Sequence, residues 1–154
     1  YYLRLGRQPV GDVFEDGYKF EFGKGVEVIN GNDITMISTG CVLSDVLDSA
    51  KTIEEQTGKS VRVINIHTLK PLDEEIIIKA AKETDLLVTI EDHSIIGGLG
   101  SAVSEVLTEH CPSRLVRIGL NDEFPESGPP KDLYEKYGLS SNQISKRVIN
   151  ELDK

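Results

Sequence analysis

Cysteine is scarce: Cys41 and Cys111 are the only two among 154 residues, far apart, with no C-x-x-C spacing and no His pair beside them. That argues against a zinc site or a redox motif and leaves two reduced, partly buried thiols behaving as small hydrophobes. Basic residues are also in short supply. Lys and Arg number 17 against 26 acids, a formal charge of −9, and nowhere do they gather into a stripe. Nucleic acid and anionic membrane surfaces are therefore poor partners. Apolar runs never exceed strand length, and the polar, charged start of the chain has no signal-peptide pattern, so a soluble cytoplasmic protein is the expectation. No internal repeat or low-complexity tract is present. The length suits one domain that buries a core without metal or disulfide support.

What is there alternates between two periods. Residues 1–25 scatter Pro9, Gly11, Gly17, Gly23 and Gly25 among aromatics and read as an arm or connector. The apolar and basic run Tyr1-Tyr2-Leu3-Arg4-Leu5-Gly6-Arg7 reads like the end of a strand, as if the chain were cut from something longer. Val26 to Ile29 and Ile34 to Ser38 are short β-branched runs joined by Asn30-Gly31-Asn32-Asp33, which locally predicts a hairpin. Leu43, Val46, Leu47, Ala50 and Ile53 then repeat at helical spacing up to a Gly58 stop. Val61 to Ile66 is the next strand; Leu69 to Asp73 ends it and caps a helix buried through Ile76, Ile77, Ala80 and Ala81. Leu86 to Ile90 is a nearly continuous apolar strand, as in the centre of a parallel sheet. A helix with Leu99, Ala102, Val103, Val106 and Leu107 on one stripe follows, ended by Pro112, and Leu115 to Ile118 is a last strand. After a loop from Gly119 to Lys131 and a short helix near Leu133 to Lys136, Ser140 and Gln143 form a capping box, and Leu139 with Ile144 a hydrophobic staple. This alternation predicts a three-layer α/β/α sandwich around a mainly parallel sheet.

The candidate chemistry sits at strand ends. Gly97, Gly98, Gly100 and Ser101 make a glycine turn between a strand and a helix, which is either an anion cradle or a joint where backbone packs closely. It has neither the G-x-G-x-x-G order nor the Lys-Ser/Thr pair of a P-loop. Glu91-Asp92-His93 ends the strand before it, where open α/β sheets hold ligands. Carboxylate and imidazole there can do acid and base work, or their side chains can cap the turn that follows. His67 follows another strand, so His67 and His93 face either a ligand or an interface, and no third ligand suggests a metal. His110 ends a helix and complements its dipole. Arg4 and Arg7 offer guanidinium forks suited to phosphate, or to surface ion pairs.

Taken together, these segments resemble the C-terminal domain of transketolase, and most of all the C-terminal half of split, two-gene transketolases. The resemblance is carried by Arg4-Leu5-Gly6-Arg7-Gln8, Phe22-Gly23-Lys24-Gly25, Ile66-His67-Thr68-Leu69-Lys70-Pro71-Leu72-Asp73, Glu91 through Ala102, and Gly119 through Leu139. Deoxyxylulose-phosphate synthases and 2-oxoacid dehydrogenase β subunits share the middle segments. The resemblance implies a five-stranded mixed sheet whose first strand is antiparallel to the rest and not paired with its sequence neighbour. It also implies that residues 1–25 close a preceding pyrimidine-binding domain and form a linker arm, with the C-terminal domain over residues 26–154.

In function, the resemblance implies a thiamine diphosphate and Mg²⁺ enzyme that moves a two-carbon ketol unit between sugar phosphates. Cofactor and metal belong to its other domains, so this chain, which has no G-D-G…N metal pattern, is expected to bind neither and to be inactive alone. Its expected roles are to stabilise a homodimer, with the glycine turn as a packing and dimer-contact element, and to supply Arg7 of Gly6-Arg7-Gln8 to the substrate phosphate. Arg4 matches a further arginine of the synthase branch. Competing readings are a domain of one of those related enzymes, including one that docks an acyltransferase, or a stand-alone module sensing a nucleotide or anion at Gly97 to Ser101.

Overall fold

The computed structural model describes residues 2–6, 9–152 and 154. Five strands form one sheet: β1 (Val26–Ile29), β2 (Ile34–Thr39), β3 (Val61–Asn65), β4 (Leu86–Ser94) and β5 (Leu115–Leu120). Five helices accompany them: α1 (Leu43–Thr57), α2 (Glu74–Glu83), α3 (Leu99–His110), α4 (Pro130–Lys136) and α5 (Ser141–Leu152). Strand order is β1-β3-β2-β4-β5, with β1 antiparallel to β3 and every other pair parallel. This is the mainly parallel α/β/α sandwich that the alternation predicts, with the antiparallel first strand that the resemblance implies.

Side-chain alternation divides the core. Met36, Val63, Val88 and Ile90 point to one face and bury Val46, Ile53, Ile144 and Val148 of α1 and α5. Ile37, Ile64 and Leu87, one residue out of phase, meet Ile77 and Ala80 of α2 and Leu99, Val103 and Leu107 of α3. Because both faces are covered, the central strands are mostly apolar, with Thr35, Arg62 and Thr89 among their buried polar exceptions. Among the described residues no helix is long and apolar enough to cross a membrane.

The local hairpin is corrected. β3 lies between β1 and β2, so Asn30 to Asp33 is a crossover and not a two-strand turn. Gly31 is needed for a different reason: it passes so close to the Val61 and Arg62 backbone that a Cβ would overlap it. Its φ is not positive, as a type I′ turn would demand. Asp33 then pins the crossover by accepting the Ser60 N–H and hydroxyl, each at 2.7 Å.

Two caps also differ from their patterns. Asp73 precedes α2, yet its carboxylate makes no cap and accepts the Gly25 N–H at 2.9 Å, tying the connector to the start of α2. The Ser140 hydroxyl does accept the Gln143 N–H at 3.4 Å, but the Gln143 side chain donates to Glu135 and leaves the box half closed. Gly58 ends α1 with φ +70° as its position predicts.

Candidate functional site

β4 runs longer than its apolar core and carries Glu91, Asp92 and His93 to the carboxyl edge of the sheet. Alternation separates them. Glu91 shares a face with Leu87 and Thr89 and points under α3, where it is 1% exposed. Its two oxygens accept the N–H groups of Leu99 and Gly100, both at 2.8 Å. The anion that a helix N-terminus attracts is therefore supplied by the chain itself.

The three glycines have three separate causes. Gly97 takes φ +73°, a region that side chains disfavour. Gly98 has ordinary extended geometry, but a Cβ there would overlap the Glu91 carboxylate. At Gly100 a Cβ would come within 2.8 Å of Arg117 Cδ and 2.9 Å of Thr89 Oγ1. Ser101 accepts the Gly97 N–H at 2.9 Å and donates to the Ile95 carbonyl, which also receives Arg117 Nη1 at 3.0 Å. Of the two readings of this turn, close packing describes its geometry, and Glu91 fills the cradle.

Asp92 faces the opposite layer, toward α4. Arg4 donates Nη1 to its Oδ1 at 2.9 Å and Nη2 to its main-chain carbonyl at 3.1 Å. The Tyr134 hydroxyl donates to the other carboxylate oxygen at 3.4 Å. Burial, reinforced by the Asp92 charge, drives the Tyr134 hydroxyl well above its ordinary value and keeps it a donor. Two residues beyond Arg4, a Cβ on Gly6 would overlap the Cys41 thiol. Arg7 lies outside the described residues. Alongside this contact opens a cleft of about 650 Å³, bordered among the described residues by Asp45, Asp132 and Glu135, with Lys131 the single base of that described lining. The charge of these described residues is of the wrong sign for a phosphate.

The two histidines are not brought together. His67 follows β3 and His93 lies on β4, with β2 between those strands. His67 packs at a tilt of 41° against Phe20 with ring centroids 4.5 Å apart, and Nδ1 lies 2.8 Å from Thr68 Oγ1. Burial holds its pKa below the ordinary imidazole value. His93 is exposed; Nδ1 sits 3.2 Å from its neighbour's carbonyl and so carries the proton. His110 stands 3.8 Å from Glu74 at the end of α3. Among the described residues no three His, Cys, Asp or Glu side chains converge as metal ligands do. The pairing of Asp92 with Arg4 and Tyr134 escapes sequence reading, since only the strand-end position of Asp92 is visible there.

Comparison with known proteins agrees with this architecture. The family model described as "Transketolase, C-terminal domain" matches residues 23–144. The chain is 40% identical over 143 residues to a 6-deoxy-6-sulfo-D-fructose transketolase subunit of Clostridium sp. (strain MSTE9), covering 93% of this chain and 44% of that protein. It is 37% identical over 131 residues to a 1-deoxy-D-xylulose-5-phosphate synthase of Caldanaerobacter subterraneus subsp. tengcongensis, covering 84% of this chain and 21% of that protein. A solved structure described as a split-gene transketolase in an inactive β4 tetramer superposes with a TM-score of 0.88 at 41% identity, over 94% of this chain and 47% of that one. The chain thus spans less than half of each of these relatives. With the family model matched from the connector into α5 and the five-stranded mixed sheet in place, the chain belongs to the transketolase C-terminal domain family.

Proposed function

We propose that this chain is the C-terminal section of a transketolase that transfers a two-carbon ketol unit between sugar phosphates. The observation that carries this reading is its likeness, over 93–94% of its length, to subunits of split transketolases. The 1-deoxy-D-xylulose-5-phosphate synthase match covers a smaller share, 84%, which supports reading that branch as the alternative. Under this reading residues 1–25 are the end of a pyrimidine-binding domain plus linker, and residues 26–154 are the C-terminal domain.

Thiamine diphosphate and Mg²⁺ supply the ketol-transfer chemistry of such an enzyme, and the residues present here do not fit them. Glu91 already satisfies the amides that would cradle a diphosphate, and the open cleft is acidic. Cofactor and metal are accordingly assigned to the companion section, and the isolated chain is inactive. Its own contributions are to stabilise a homodimer of the assembled enzyme in the cytoplasm and to present Arg7 to the substrate phosphate. A guanidinium fork suits that task because two parallel, charge-assisted hydrogen bonds hold a phosphate in one orientation.

The test is Arg7→Ala in the enzyme reconstituted with its companion section. Each hydrogen bond to a charged group contributes ~1.5–3 kcal/mol, so the KM for a phosphorylated ketose should rise roughly 10- to 100-fold while thiamine diphosphate affinity stays within about twofold. An unchanged KM would remove Arg7 from the site.

A further inference from the structure

We infer that Asp92 is a positioning residue for the substrate-phosphate contact, mooring to the carboxyl edge of the sheet the arm that leads into Gly6-Arg7-Gln8. The inference rests on the reading of Arg7 as the phosphate ligand.

Arg4 and Asp92 are 88 residues apart in sequence, yet two guanidinium nitrogens of one engage a carboxylate oxygen and the carbonyl of the other, at 2.9 and 3.1 Å. Two contacts to one residue fix the direction of the fork as well as its position. The Asp92 side chain is only 17% exposed, and its remaining oxygen is held by the Tyr134 hydroxyl of α4. The carboxylate is therefore immobilised before it receives the arginine.

Steric contacts complete the mooring. Gly40 takes φ +77° and brings the turn after β2 near enough that a Cβ would lie 3.3 Å from Asp92 Oδ1. Gly6 is pressed against Cys41 in the same turn, with no room for a side chain. The arm is thus held at Arg4 by charge and at Gly6 by shape, on the end of β4 and on the turn that follows β2. Three residues of extended chain span at most ~10 Å, so a moored Arg4 limits how far the Arg7 position can lie from the carboxyl edge of the sheet. An error of about 1 Å in a binding group is enough to weaken a transfer site severely. Arg4, whose fork is committed to Asp92, then serves as the mooring post and not as a second phosphate ligand.

The test uses the assembled enzyme with two ketol donors, xylulose 5-phosphate and hydroxypyruvate, the second of which has no phosphate. Asp92→Asn should raise the KM for xylulose 5-phosphate roughly fivefold, the scale of one exposed charge pair, and shift that for hydroxypyruvate by less than about twofold. Arg4→Gln should match it, and the double variant should be no worse than either, because both remove one contact. If Asp92→Asn does not yield folded protein, Arg4→Gln alone reads the same ratio. An equal loss on both donors, or an unchanged ratio of the two KM values while Arg7→Ala alters it, overturns the mooring role alone. An unchanged ratio in Arg7→Ala overturns the reading of Arg7 and the mooring with it.

Discussion

Adding one methyl group at Gly98 should unfold the joint between β4 and α3. The new Cβ would overlap the Glu91 carboxylate, which is buried at 1% exposure and cannot swing into solvent. Moving it forfeits the hydrogen bonds to Leu99 and Gly100 and strands two amides and a charge in the interior. Hydrogen bonds to charged groups contribute ~1.5–3 kcal/mol each, so Gly98→Ala should cost about 3–5 kcal/mol. For a domain of this length 1 kcal/mol moves Tm by ~2–4 °C, so the fall should be about 10 °C by far-UV circular dichroism.

Gly100→Ala provides the contrast. Its neighbours are the stem of the exposed Arg117 side chain and the buried Thr89 hydroxyl, which must each give by a few tenths of an ångström, while alanine recovers ~1 kcal/mol of helix propensity. Its net cost should be about 1 kcal/mol or less. The decisive comparison is a double-mutant cycle. Once Glu91→Ala has removed the carboxylate, the Ser94 carbonyl oxygen still lies 2.9 Å from the new Cβ, so Gly98→Ala should cost about 1–2 kcal/mol there, leaving a coupling of about 2 kcal/mol. Additive costs, or a Gly98→Ala protein as stable as the parent, would refute the carboxylate as the reason for this glycine.

Two further predictions concern buried titratable groups. The Arg62 side chain is 3% exposed, with Nη2 at 2.8 Å from Glu83 and Nε at 3.4 Å from Glu27. Removing both anions leaves an uncompensated cation, so Glu27→Ala combined with Glu83→Ala should cost about 3 kcal/mol in urea denaturation, more than Arg62→Met, which leaves only half-solvated acids. His67 has its pKa lowered by burial from the ordinary 6.5. The unfolded chain therefore takes up this proton first, and the stability present above about pH 6.5 is lost as pH falls through that value toward the folded pKa. His67→Gln should flatten this part of the acid slope; an unchanged urea midpoint profile between about pH 7.5 and 5 would disprove it.

How far the fold could be read from the chain depends on how local each signal is. The apolar stripes of α1, α3 and α5, the Gly58 stop and the continuous β4 run are set by neighbours within two turns, and they appear where their periods place them. Asn30-Gly31 is equally local but ambiguous: the same residues suit a tight hairpin and a crossover pressed against backbone, and only the position of β3 decides between them. Asp73 shows a related limit, since a carboxylate at a helix start satisfies whichever N–H reaches it, and Gly25, 48 residues away, does so. At the site, the adjacency of Glu91 and Asp92 suggests a single acidic centre, whereas strand alternation assigns them to opposite layers. The same parity that puts Leu87 and Thr89 under α3 sends Glu91 there too, and it turns Asp92 toward the arm and Tyr134. Parity is legible from sequence; the partners at each end of it, 8 and 88 residues distant, are not. Glu91 therefore belongs to the framework of the domain, and Asp92 is the carboxylate through which that framework holds the N-terminal arm at Arg4.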